Sequence, residues 1–181
     1  MNRTIKVILK ILGILVLILM ALIIGVLIWF NVSLRNMKKQ AEIDHASQTI
    51  ICDSIQIITD QPSVSMYDFN KEDISELRFS IVRNGAIVTD TLIHNRSQSP
   101  NIPFTNFIKT DTILLKTQNN LCYFISGYKY EVFLGYGMFG YVGFKDCRLS
   151  NAIIVNGQQQ SYSSLDPKNG IRYSDLPEQF K

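Results

Sequence analysis

The chain has 181 residues, of which 46% are hydrophobic, and carries a formal net charge of +3. Arg3, Lys6 and Lys10 supply the whole excess. From residue 31 onward fifteen basic side chains stand against fifteen acidic ones, with no run beyond Lys38-Lys39. Nucleic-acid binding needs a clustered basic face to displace counterions, so nucleic acid is excluded as a partner.

Residues 1–10 form a basic N-terminal tail. Residues 11–30 follow without a charge, and fifteen of these twenty are Leu, Ile, Val or Phe. A helix of that length rises about 30 Å, the thickness of a bilayer's hydrocarbon core. Each such residue contributes roughly −0.3 to −0.6 kcal/mol near the membrane centre, so insertion is favourable by several kcal/mol. The stretch exceeds the h-region of a cleaved signal peptide, and its far end, Ile-Trp-Phe-Asn-Val-Ser, offers no small-x-small cleavage site. A retained transmembrane helix is therefore expected, with Trp29 in the aromatic belt and Arg35, Lys38 and Lys39 at the headgroups. The basic leader favours a cytoplasmic N-terminus and an extracytoplasmic, or periplasmic, C-terminal domain on the cell (inner) membrane. Ala21 and Gly25 make a small-xxx-small pair that permits helix pairing.

Residues 31–50 are polar and read as a juxtamembrane linker, with a helical continuation possible through Met37–Ala46. Residues 51–157 read as an all-β domain. Leu77, Phe79 and Ile81 alternate with polar neighbours, and Asn84-Gly85 separates this run from Ala86–Ile93, the strongest short-range hairpin signal. Further strands are expected at 54–59, 112–116, 121–125, 128–134, 141–145 and 152–156. Eight short strands at this spacing predict a small antiparallel β-sandwich, immunoglobulin-like or transthyretin-like, or a barrel. Residues 158–181 read as a polar C-terminal tail, either docked through Ile171, Tyr173 and Leu176 or mobile.

Gly135-Tyr136-Gly137-Met138-Phe139-Gly140 matches the spacing G-x-G-x-x-G. That motif binds dinucleotides only where a helix N-terminus follows, and here Tyr141-Val142-Gly143-Phe144 reads as a strand. A glycine-rich loop between strands is expected, and no cofactor. The aromatics from Tyr136 to Phe144 cannot all face inward on alternating strands. Tyr136, Met138, Phe139 and Tyr141 are therefore the candidate partner-contact patch; the competing reading is a lid folded over the core.

Cys52, Cys122 and Cys147 make an odd count, and an oxidising compartment predicts one disulfide and one free thiol. Cys122–Cys147 is the expected pair, with Cys52–Cys147 second. His45 and His94 have no spacing that suggests a site, and no C-x-x-C, H-x-x-x-H or calcium-loop pattern occurs. No catalytic residue and no metal ligand is assigned. The sequence thus predicts a single-pass, membrane-anchored module for protein binding or assembly, whose partners are the bilayer and a protein or second copy. An anchored immunity or inhibitor protein against a toxin, and a tethered hydrolase relying on His94, are the alternatives.

Overall fold

The computed structural model describes the backbone of residues 3–180 and the side chains of residues 10–180, so Arg3 and Lys6 lie outside the described side chains. Helix α1 runs unbroken over Arg3–Ser54. Its apolar stretch is exposed along its whole length, and this helix is long and apolar enough to cross a membrane. Residues 31–50, expected as a linker, continue the same helix. No proline or glycine occurs between Val26 and Gln61, and Met37, Lys38, Lys39, Gln40, Ala41 and Glu42 are strong helix formers. Gln40 adds an i,i+4 side-chain hydrogen bond to Asp44 at 2.8 Å.

The strands are β1 (Ile57–Ile58), β2 (Ser65–Met66), β3 (Glu76–Arg83), β4 (Ala86–His94), β5 (Phe107–Ile108), β6 (Thr112–Thr117), β7 (Leu121–Ser126), β8 (Tyr130–Gly137), β9 (Gly140–Leu149), β10 (Ile153–Val155), β11 (Gln158–Gln160), β12 (Ser164–Leu165) and β13 (Ile171–Arg172). Chain contacts divide the molecule into two units. The first holds the helix up to Gln48 together with Leu134–Lys145; the second holds Thr49–Phe133 and Asp146–Lys181.

The second unit is built on a main sheet in the order β11-β10-β7-β6-β3-β4, with β13 also paired to β7. Main-sheet pairings are antiparallel throughout. The expected β3–β4 hairpin forms. Asn84 (φ 52°) and Gly85 (φ 79°) both take the positive φ that a type I′ turn requires. Asn156 (φ 50°) and Gly157 (φ 81°) repeat the device between β10 and β11. Residues 158–180, read as a tail, thus contribute strands to the sheet.

Pairing register sorts the side chains onto two faces. Phe79 pairs Leu115 and Leu115 pairs Tyr123, while Ile81 pairs Ile113 and Ile113 pairs Ile125. All of these are buried in one core with Ile58, Met66, Phe107 and Leu165 from the ribbons β1–β5 and β2–β12. The opposite face carries Val82, Leu114 and Cys122, covered by Leu176 with Ile171, Tyr173 and Phe180. Docking of the C-terminal segment through Ile171, Tyr173 and Leu176 is therefore realised. The domain is mostly antiparallel β, and no closed barrel is present among the described residues.

One ion pair anchors the loop before β6. Arg83 Nε and Nη2 each donate to a carboxylate oxygen of Asp111 at 2.8 Å, and the Ile108 N–H donates to Asp111 Oδ2 at 2.8 Å. The Asp111 side chain has no exposed surface, whereas 40% of the Arg83 side chain is exposed. Hydrogen bonding from Arg83 lowers the Asp111 pKa, against an opposing desolvation. A carboxylate with a lowered folded-state pKa stabilises the fold above its unfolded pKa, and this contribution is lost as pH falls through the folded value. Asp111→Asn should therefore cost about 2 kcal/mol at neutral pH and flatten the acid limb of a stability–pH curve. An unchanged acid limb in urea unfolding from pH 7 to pH 2 would contradict the assignment.

Candidate functional site

Strands β8 and β9 pair with each other, and Met138-Phe139 form the turn between them. A two-residue connection requires an antiparallel hairpin. Gly140 opens strand β9 rather than a helix, so the glycine-rich segment has no helix dipole to offer a pyrophosphate. The glycines serve the hairpin instead. Gly140 has φ 122°, and a Cβ on it would lie 3.0 Å from Met37 Sδ and 3.7 Å from Leu34 Cδ2. A side chain here would thus be strained by the backbone and crowded by the helix. Gly135 likewise has the Val142 and Lys145 side chains close above it.

Within the first unit the hairpin is fastened to α1 at two points. One is the close approach of Gly140 to Leu34 and Met37. The other is a short hydrogen bond from the Tyr141 hydroxyl to the Asp44 carboxylate. Desolvation, with Asp44 assisting, pushes the Tyr141 pKa up to about 12. Tyr141 also meets Tyr136 edge to face, with ring centroids 5.8 Å apart.

The four candidate contact residues therefore share one hairpin but not one environment. Tyr141 is partly buried and acts as a strut to the helix. Tyr136 is 67% exposed, Met138 90% and Phe139 66%. Sequence reasoning missed Val142, exposed to 70%, and Phe144 at 37%. Strand alternation from Tyr141, which faces the helix, was the signal that could have found them. Trp29, Arg35, Lys38 and Lys39 are all exposed on α1.

The expected Cys122–Cys147 disulfide is not made. Cys52, two residues before the end of α1, is bonded to Cys147 on β9, across 95 residues. Cys52 lies in the main core and Cys147 packs against it. Cys122 belongs to the cluster on the other face of the main sheet, opposite Lys116 and Ile171, out of reach of either. It is a buried free thiol. Burial pushes its pKa up to about 11, only weakly opposed by Lys116, so it is protonated at neutral pH and a poor nucleophile.

His94 is exposed, with Nδ1 3.5 Å from Glu76 Oε1, a surface pair rather than a base aimed at a nucleophile. Among the described residues no group of three His, Cys, Asp or Glu side chains could hold a metal ion. A cavity of about 120 Å³ beneath the C-terminal segment is lined by Arg78, Ser80, Asp90, Lys116, Cys122 and Tyr173, among others. Its polar groups are engaged with one another: Ser80 Oγ donates to Asp90 at 3.0 Å, Arg78 lies 3.7 Å from Asp90, and Lys116 Nζ sits 3.3 Å above the Tyr173 ring. Neither protein-family models, nor curated proteins, nor solved structures contain a match to this chain.

The two hairpin fastenings and the exposed turn should respond oppositely to substitution. Gly140→Val should release the hairpin, raising amide exchange across residues 134–145. Phe139→Ala should leave the melting temperature nearly unchanged, since little of its surface is buried. A large loss of stability from Phe139→Ala would mark that residue as core.

Proposed function

We propose that the chain is a single-pass protein of the cell (inner) membrane, N-terminus cytoplasmic, whose extracytoplasmic β domain serves protein binding or assembly. The exposed apolar span of α1 supports the anchor. The Cys52–Cys147 disulfide supports an oxidising compartment for the domain. The domain reads as a small sandwich: the main sheet forms one layer, and the ribbons β1–β5 and β2–β12 contribute side chains to the same core from the other.

The observation that carries the binding half is the open edge at β4. This strand is nine residues long and pairs with β3 on one side only. Natural edge strands are kept short, or are blunted by lysine, proline, inward charges or bulges. Strand β4 contains no lysine and no proline; its one such device is a bulge at Val88, opposite the Ile81–Val82 step, and Ile87, Val88 and Leu92 are exposed on it. Its one carboxylate, Asp90, is already engaged by Ser80 and Arg78. An edge with no strand beside it, flanked by apolar side chains, suits recognition by strand addition, in which a partner strand hydrogen-bonds along it.

A photo-crosslinking residue at Thr89 in the full-length protein in its native membrane tests this. The expected product is a specific adduct, with twice the chain mass for a second copy or another mass for a different protein. Val88→Lys with Leu92→Lys should weaken that association roughly ten-fold or more, about 1.4 kcal/mol, while leaving the melting temperature within a few degrees. Absence of any adduct at Thr89, or an adduct indifferent to the two lysines, would contradict the reading.

A further inference from the structure

We propose that the β8–β9 turn is a second membrane contact: Tyr136, Met138 and Phe139 enter the headgroup layer of the leaflet from which α1 emerges. The inference rests on the proposed reading of α1 as a membrane span, and it names the bilayer as the occupant of the aromatic patch.

Height along the helix is the first argument. The apolar run ends at Phe30, and Leu34 lies four residues beyond it, about 6 Å higher on a helix standing along the membrane normal. The headgroup region adds about 5–8 Å to each side of the hydrocarbon core. Gly140 touches the Leu34 and Met37 side chains, and helical side chains lean toward the helix N-terminus. Gly140 therefore sits near the outer limit of the headgroup layer.

Direction is the second argument. The next residue along β9, Tyr141, reaches Asp44, seven residues farther along α1 than Met37. The strand thus climbs with the helix, away from the membrane, and the turn is its lowest part. Phe139 and Met138 form the turn itself, about one strand rise, or 3.3 Å, below Gly140. That spacing places both within the headgroup layer.

Chemistry is the third argument. Met138 is 90% exposed, and Tyr136 and Phe139 about two-thirds exposed (67% and 66%), on a turn of only two residues. Such a patch is poorly solvated in water. Over the same stretch of its length α1 carries Trp29 and Phe30 and the exposed cations Arg35, Lys38 and Lys39. No acidic residue occurs between residue 11 and Glu42. Aromatic and basic side chains without carboxylates are the composition of an interfacial belt facing an anionic leaflet.

The test is depth-resolved tryptophan quenching in full-length protein reconstituted into phosphatidylethanolamine/phosphatidylglycerol vesicles carrying lipids brominated at shallow positions. Native Trp29 reports on α1 itself. In a Trp29→Phe background, Phe139→Trp reports on the turn, and Ile43→Trp, exposed on α1 about 20 Å beyond Phe30, is the control. Bromolipid should quench the native Trp29 signal and the Phe139→Trp signal about two-fold or more, as for a ring at headgroup depth, and leave the Ile43→Trp signal unchanged. If Trp29 is quenched but the Phe139→Trp fluorophore is not, the turn is not in the leaflet and this inference fails while the anchor stands. Protection of that unquenched fluorophore from acrylamide, growing with protein-to-lipid ratio, would assign the patch to a second copy instead and also overturn it. If Trp29 itself is unquenched, the membrane reading of α1 fails first.

Discussion

Twenty consecutive residues without a polar side chain cannot be hidden inside so small a β domain, and in the folded chain they are not hidden. From Ile11 to Phe30 the helix offers its apolar side chains on all sides, with no partner element over them among the described residues. Water solvates such a surface badly, whereas a bilayer solvates it well while the helix satisfies its own backbone hydrogen bonds. The proposed account follows from that demand. A helix fixed in lipid determines which residues emerge first, and what emerges here is more helix, as far as Ser54, with no proline or glycine to break it.

The β domain meets a different demand. A single sheet must cover both faces, and this one does so with side chains sorted by strand register. Phe79, Leu115 and Tyr123 share one core with the short ribbons, while Leu176 and its neighbours from the C-terminal segment close the opposite face over Leu114 and Cys122. Among what remains uncovered are the outer edge of β4 and the turn of the β8–β9 hairpin. The proposed division of labour assigns the edge to a protein strand and the turn to lipid. Edge and turn differ in what they present, a strand with no neighbouring strand in one case and large apolar side chains in the other.

Much of this was legible in the sequence where a local physical code exists. Leu77, Phe79 and Ile81 mark a core face by period two, and Asn84-Gly85 marks its turn. Asn156-Gly157 carries the same turn code, yet Gln158-Gln159-Gln160 looks like a polar tail because an edge strand needs no apolar periodicity. The two-residue strands β1, β2, β5, β12 and β13 are too short to leave a periodic trace at all. The disulfide was undecidable by loop entropy, which changes slowly with loop length. It is decided by Cys122 pointing to the sheet face away from Cys52 and Cys147. The strut between Tyr141 and Asp44 joins residues 97 apart, and neither residue carries a signal of the other.

The central claim, that α1 is a retained span with the β domain on the far side, is tested most directly by fusion after Lys181. A phosphatase reporter that folds only in an oxidising compartment should be active there, and a reporter fluorescent only in the cytoplasm should be dark. The reverse pattern, or a mature chain beginning near Asn31, would contradict the account.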